Sequence, residues 1–425
     1  MDPDEDQCVA SHGYGLGTQR FFVRLVLAGI SLRGASRTMA IFAETLGWLE
    51  VPHWTTGRLW LLRLGHAALS AAKQQAADWV WLIDHSVQIG QEKCLVIVGV
   101  RLKDLPAPGE CLRHGDLKLI SRLPRKSWTR IEVDQALEAA TQKTGVPRGI
   151  VDDHGVDIAG GVRFFQERHP ETAEIYDAKH KAACLLKGRL EKNPRWREFQ
   201  AKLAATRCAI QQTELAFLVP PGPKPKARFM NLESTLQWAT KTLAIVQHPP
   251  RVVQDRVPRQ RLEEKLGWLR GFAAEIPEWF EWQLVANLTV LFVNRQGIYR
   301  GAAEALHKEV PPLKHASSKS LMDELAAFVT EQAEQTRAGE RLPGSTEVLE
   351  SCFGRFKQLE KQQARGGFTS LLLAFGALLT EATTKALETA FTHSPTQQIK
   401  TWCTEHLGIT LSGQRKLAFA DATKT

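Results

Sequence analysis

Three groups of carboxylates stand at places in this 425-residue chain where the local sequence puts them at the edge of a folded unit. Asp84 closes the apolar run Trp79-Val-Trp-Leu-Ile-Asp84, and Asp152 and Asp153 close a second run, Gly149-Ile-Val-Asp-Asp153. Glu347 and Glu350 open an amphipathic stretch behind Gly344 and Ser345. Taken singly, each is an ordinary turn or capping acid. An acid at the end of a buried strand is costly unless it is paired or metal-bound, so meeting it twice in this order points to function. Hard divalent cations such as Mg²⁺ take carboxylate oxygens together with water and phosphate oxygens. Two such ions, roughly 4 Å apart, clamp the attacking and leaving oxygens of an in-line phosphoryl displacement. A few carboxylates converging from separate elements at the ends of strands supply that arrangement.

The elements around these acids read as an α/β unit. Residues 79–84 and 94–100 are short runs rich in apolar and β-branched residues, as strands require, and residues 117–123 make a weaker third. A helical period over 131–143 follows, through Val133, Ala136, Leu137 and Ala140. Then come a strand at 149–153, a helix at 158–167, a strand at 174–177 and a helix at 179–190. Three strands in succession form an antiparallel meander, and the later ones, alternating with helices, lie parallel in the same sheet. This is the element order of an RNase H-like mixed sheet.

The flanking segments predict the rest of the organisation. Residues 1–75 read as an N-terminal helix-turn-helix-like DNA-binding domain: Ser31 caps one helix, and Pro52 to Arg58 leads into a Thr-capped basic one. Arg58 and Arg63 are then expected to face phosphate or bases. Residues 76–192 form the first part of the core, and 193–340 a helical insertion containing the basic cluster Arg251, Arg256, Arg259, Arg261 and Lys265. With few acids beside it, that cluster, Arg256 and Arg259 above all, suits a DNA backbone as well as it suits a solvated helix start. The tryptophans of the insertion, among them Trp196, Trp268 and Trp279, suit a core better than a stacking platform. Residues 341–392 return to the core with a helix capped by Ser345 and a last apolar helix over 368–391, and 393–425 is a polar tail.

Composition narrows the partners. Lys and Arg number 55 against 46 Asp and Glu, a formal charge of +9 that favours a polyanion such as nucleic acid. The seven cysteines form no CxxC pair, which excludes a zinc ribbon and gives no disulfide framework. The longest apolar run, 371–379, falls short of the roughly 20 residues that a membrane crossing needs. A cytoplasmic, nucleoid-associated protein with no membrane role is expected.

Taken together, the motifs resemble bacterial insertion-sequence transposases of the DDE superfamily. Trp-Leu-Ile-Asp84-His-Ser resembles the first-acid motif, and Ile-Val-Asp-Asp153-His-Gly155 the second. Ser-Thr-Glu-Val-Leu-Glu350-Ser-Cys-Phe-Gly-Arg-Phe-Lys357 resembles the helix of the third acid. Ile175-Tyr-Asp177-Ala-Lys-His180 resembles a segment that follows the fifth strand in several groups. The branch that places a Lys after the Glu also has a Tyr and an Arg before it; here Pro343 and Glu347 stand at those spacings.

The resemblance implies a metal-dependent enzyme that cleaves double-stranded DNA at transposon ends. It then joins the freed 3′-hydroxyl to target DNA. Asp84, Asp153 and Glu350 would hold two Mg²⁺ ions, or Mn²⁺ in their place. Lys357 would contact a phosphate and His180 would orient a phosphate or Asp177. A homo-oligomer assembled on DNA would be the working form. The competing readings are a non-catalytic, domesticated or decayed transposase that only binds DNA, and an RNase H-like nuclease without strand transfer.

Within each pair of neighbouring acids the pattern favours one. Side chains alternate along a strand, so only one of Asp152 and Asp153 can join Asp84. Gly155, two after Asp153, would allow a tight turn. The apolar stripe Val348, Leu349, Cys352, Phe353, Phe356 and Leu359 puts Glu347 opposite it, facing solvent, and Glu350 near its edge.

Overall fold

A computed structural model describes residues 13–46, 50–89, 92–222, 229–362, 369–409 and 411–422. The protein is mixed α/β, with many helices and one five-stranded mixed sheet. It divides into two compact units, residues 1–175 with 346–425, and residues 176–345.

The first unit begins with helices α1 (Leu16–Leu27), α2 (Leu32–Leu46) and α3 (Trp54–Ser70). Strands β1 (Trp79–Ile89), β2 (Glu92–Arg101) and β3 (Lys118–Arg125) follow, then α4 (Arg130–Thr144), β4 (Gly149–Asp152), α5 (Val156–Arg168) and β5 (Ala173–Tyr176). The sheet order is β3-β2-β1-β4-β5. β1 pairs antiparallel with β2, β2 antiparallel with β3, and β1 parallel with β4. A short hairpin can join the antiparallel pairs, whereas the parallel pair needs the α4 crossover. Thr129 starts α4 with a capping box, its hydroxyl accepting from Glu132 N (3.3 Å) while Glu132 takes the Thr129 N–H (2.9 Å).

Alternation along the strands sorts their side chains. Trp79, Trp81, Ile83, Leu95, Ile97 and Ile150 share one buried cluster with Val133 and Leu137 of α4 and Ile158, Val162 and Phe165 of α5. Val80, Leu82, Val96, Val98 and Val151, also buried, alternate with these and belong to the opposite face.

The second unit contains α6 (Ala178–Lys192), α7 (Pro194–Ile210), α8 (Glu233–Gln247), α9 (Arg251–Gln254), α10 (Arg259–Leu266), α11 (Glu275–Gln296), α12 (Ala302–Glu309) and α13 (Ala316–Glu334). Trp196, Phe199, Phe272 and Trp279 are buried and meet ring to ring, Trp196 and Trp279 edge-on at 4.9 Å. The tryptophans thus build a core here rather than a surface platform.

The chain returns to the first unit with α14 (Glu347–Lys361), α15 (Ala374–Leu378), α16 (Thr384–His393), α17 (Thr396–His406) and α18 (Leu411–Ala422). Several sequence expectations are corrected in this unit. The apolar stretch at 368–391 is not one helix: a 3₁₀ turn at Ser370–Leu373 leads into α15, and Thr383 caps a separate α16 by accepting from Ala386 N (3.1 Å). The residues after Ser394 are mostly helical, and Ile399 and Trp402 of α17 are buried where α17 meets α3. α14 starts after Thr346, not Ser345.

α3 takes a central place in this unit. It packs on α2, α15, α16, α17 and β3, and buries Trp60, Leu61, Leu62 and Leu64. Gly65 lies so close to the Leu373 carbonyl that a side chain there would overlap the backbone.

Candidate active site

Asp84 lies inside β1, not at its end as the sequence suggested. β1 pairs with β4 at Val80↔Gly149, Trp81↔Ile150 and Leu82↔Val151, then runs on beside β2 alone. Asp84 pairs with Val96 in that stretch. Extending the β1–β4 register by two residues sets Asp84 opposite Asp153, the residue that follows the last β4 position. Adjacent strands stand about 4.8 Å apart, so the two backbones are neighbours where the parallel pairing ends. Asp84 and Asp153 are both half-buried. Asp153 Oδ1 accepts the Gly155 N–H at 2.9 Å.

Gly155 has a different role from the one expected. Its φ of −54° is ordinary, and the left-handed residue of this turn is His154, with φ 55°. What glycine provides is room: a Cβ at Gly155 would stand 3.1 Å from Asp153 Oδ1.

α14 covers the Asp84 face of the sheet. Val96 pairs with Asp84 on one side and with Arg122 on the other, so the three residues form a row across β1, β2 and β3. The Arg122 guanidinium lies 4.4 Å from the ring centre of Phe356 in α14 and 4.5 Å from that of Phe375 in α15. α14 also packs directly on β1. Leu349, Cys352, Phe353, Phe356 and Leu359 form its buried stripe. The helix is held further by His114, whose Nε2 lies 3.2 Å from Ser351 Oγ and whose Nδ1 lies 2.9 Å from Arg355 Nη1.

Glu350 is exposed, in the first turn of α14, and Lys357 is half-buried two turns further on. Glu347 is half-buried rather than facing solvent, and it follows the buried Ser345 and Thr346. Burial therefore does not separate the two glutamates.

The other face of the β4 end carries a cluster that the sequence reading did not single out. Asp152, His154 and Glu174 each offer a ligand atom, all within 4.8 Å of one another, and this group could hold a metal ion. Asp152 is fully buried; its Oδ1 accepts from His154 N (2.6 Å) and its Oδ2 has no hydrogen-bond partner. Burial first, then the nearby Glu174, push the Asp152 carboxyl up to about 7, against the pull of His154. Burial lowers the His154 imidazole, but its bond to Glu174 and the Asp152 and Glu174 charges outweigh that and raise it. In β1, His85 Nε2 meets Oδ2 of Asp157, in the first turn of α5, at 2.8 Å, and burial holds that imidazole below its usual range. The signal in the sequence was the second acid of the Asp152-Asp153 pair and the His between Asp153 and Gly155. Glu174 arrives only through the neighbouring strand, at a distance the sequence does not show.

The basic residues divide. Arg63 is a correction: it is buried, its guanidinium donating to the Ser394 carbonyl (2.7 Å) and the Phe391 carbonyl and stacked 4.8 Å from the Phe391 ring. It serves the C-terminal end of α16, whose last carbonyls lack helical partners, instead of a DNA groove. Arg58 is half-buried, and its Nη2 donates to Ser370 Oγ at 2.8 Å. In the second unit Arg256 and Arg259 are exposed. Arg261 and Lys265, from the same cluster, meet Glu214 and Glu264, so the cluster is less basic than its sequence suggests. His180 is exposed in the first turn of α6, its backbone N–H reaching Asp177 Oδ1 at 3.4 Å and its ring 5.8 Å from that of Tyr176. Asp177 is the buried cap of that helix.

Among the described residues no helix is long and apolar enough to cross a membrane. No protein-family model matches the chain, and no curated protein matches it.

Proposed function

We propose that this protein is a DNA transposase of the DDE kind, cutting and joining DNA by metal-dependent phosphoryl transfer on an RNase H-like core. The observation that carries the reading is the register of the two parallel strands. It aligns Asp84 with Asp153 at the point where β1 and β4 part, on the face that α14 covers with Glu350 in its first turn. The sheet order β3-β2-β1-β4-β5, with β2 antiparallel and β4 parallel to β1, supports the RNase H-like assignment.

The donor set suits a hard divalent cation. Three carboxylates come from three separate elements, and none of them is fully buried, so a polyanionic substrate has access. Asp84, Asp153 and Glu350 would hold Mg²⁺, or Mn²⁺ in its place. Such ions, when bound, polarise the scissile phosphate and acidify the attacking water or 3′-hydroxyl. The tie of Asp153 Oδ1 to the Gly155 N–H fixes the direction of that carboxylate. The ties of α14 to His114 fix the helix that bears Glu350 and Lys357, and Lys357 would meet a phosphate of the strand being cut.

DNA contact by the helix-turn-helix-like segment falls to α2, whose exposed side carries Arg33 and Arg37, because α3 is enclosed by its own unit. Arg256 and Arg259 would add backbone contacts, and the working form would be an oligomer on DNA.

The test is cleavage of DNA taken from either side of the gene. The purified protein should cut and join it in Mg²⁺ or Mn²⁺ and not in EDTA, and Asp84→Ala should bind the same DNA without cutting it. Undiminished cleavage by Asp84→Ala would falsify the assignment, and cleavage without joined products would reduce it to a nuclease.

A further inference from the structure

Asp152 and Asp153 are consecutive, and the strand alternation gives Asp152 the face of Ile150, covered by α4 and α5. We propose that Asp152, His154 and Glu174 form a binding site for one borderline divalent cation, with Zn²⁺ the preferred ion, separate from Asp84, Asp153 and Glu350. The inference goes beyond the DNA reading and stands on these three residues alone.

Four observations carry it. The ligand atoms lie within 4.8 Å of one another. The Asp152 carboxyl has one oxygen spent on the His154 N–H and the other, Oδ2, buried with no partner in a residue of 0% exposure. A buried carboxylate oxygen left this way is expensive, and a cation relieves the cost. His154 Nε2 and Glu174 Oε1 are 3.3 Å apart. Two ligands each about 2.0–2.1 Å from a tetrahedral ion stand roughly 3.3 Å apart, so this pair is already at ligand spacing. Lastly, His154 has φ 55°, the only non-glycine residue with positive φ among those described. A histidine in that conformation costs free energy, and such residues recur at ligand clamps.

The ligand chemistry selects the class of ion. Mg²⁺ favours oxygen donors and keeps its waters, whereas an imidazole with two carboxylates suits Zn²⁺, and Mn²⁺ less well. Three protein ligands leave a further position for water. The exposed side of His154 gives the ion a way in. A bound ion would pin the left-handed turn that immediately follows Asp153.

The experiment titrates the full-length chain with Zn²⁺, Mn²⁺ and Mg²⁺ by calorimetry and thermal unfolding. The background is Asp84→Ala, Asp153→Asn, Glu350→Gln, so that failure of the DNA reading and failure of this one stay distinct. One Zn²⁺ per chain is expected to bind and raise the Tm, with Mn²⁺ weaker and Mg²⁺ weakest. Asp152→Asn and His154→Gly should each weaken Zn²⁺ at least tenfold. Glycine accepts φ 55° without strain, so His154→Gly keeps the turn while removing the ligand. If His154→Gly leaves the Zn²⁺ titration unchanged, the imidazole only pairs with Glu174 and the site is refuted. A preference for Mg²⁺ over Zn²⁺ would refute the ligand set as well.

Discussion

The guanidinium of Arg122 lies 4.4 Å from the centre of the Phe356 ring, and this contact ties α14 to one face of the sheet. Arg122 pairs with Val96 and Val96 with Asp84, so the face that α14 covers is the face of Asp84. The helix that carries Glu350 is thereby held on the Asp84 face by a stacked cation of β3, two strands away from Asp84. Burial lowers the Arg122 pKa, with Cys94 and Glu360 opposing. The residue thus combines a stacking role with an electrostatic cost.

That combination separates two substitutions. Arg122→Met keeps much of the packing volume and removes a buried charge, so stability should hold or rise, by up to about 3 kcal/mol. Arg122→Ala empties the space between Phe356 and Phe375 and should cost about 2–5 kcal/mol. Urea unfolding of both variants decides it. Equal losses in both would mean that the charge itself holds the helix.

Arg63 tests the corrected role of α3. Because its guanidinium satisfies the carbonyls of Phe391 and Ser394, Arg63→Met should destabilise the protein by about 2–4 kcal/mol. DNA affinity of the folded protein should stay unchanged, whereas loss of an exposed phosphate contact would weaken binding and lower its salt slope by about one. A weakened affinity with unchanged stability would restore Arg63 to the DNA surface.

In the second unit, Glu281 joins α11 to the start of α13. Its carboxylate accepts from Lys314 N and His315 N, both at 3.1 Å, and meets His315 Nδ1 at 2.9 Å. Burial works against the charge, but these donors outweigh it and hold the carboxyl at about 2. A depressed carboxyl contributes stability above its unfolded pKa of about 4.5, and that contribution is lost as pH falls towards about 2. Glu281→Gln should therefore lower stability at pH 7 and flatten its dependence on pH between about 5 and 2. Chemical denaturation across that range reads the difference from wild type, and parallel curves would refute the assignment.

The sheet was legible in the sequence because its central strands carry apolar runs and its crossover helix carries a capping box, Thr129 with Glu132, that local chemistry specifies. Asp84 and the Asp152-Asp153 pair stood out because they interrupt apolar runs, although Asp84 proved to lie inside β1 rather than at its end. The length of β1 was not: the continuous apolar run ends at Asp84, and the mixed residues His85 to Ile89 stay extended because they pair with β2. The fate of α3 was hidden too. Its arginines look solvent-facing in sequence, yet the surface that buries Arg63 comes from α16, more than 300 positions away. The Asp152 cluster was missed because Glu174 meets Asp152 only across two neighbouring strands.

Under the transposase reading, Asp153 and Glu350 are the acids of each neighbouring pair that would hold the metal. The register sets Asp153, not Asp152, opposite Asp84, and Asp152 shares the face of Ile150 instead. In α14 the two glutamates differ less sharply, Glu347 being half-buried and Glu350 exposed. Two arguments still favour Glu350. A substrate as large as duplex DNA needs the metal at an accessible carboxylate. Lys357 lies seven residues beyond Glu350, two helical turns along the same side, so one helix can hold the ion and a phosphate together. Asp84→Ala, Asp153→Asn and Glu350→Gln should therefore each lose at least about a hundredfold in DNA cleavage, the scale of removing preorganised charge at a developing transition state. Asp152→Asn should lose less than Asp153→Asn, and Glu347→Gln should keep most activity. Single-turnover cleavage rates in Mn²⁺ measure all five. A larger loss in Glu347→Gln than in Glu350→Gln would move the third ligand one turn towards the start of α14.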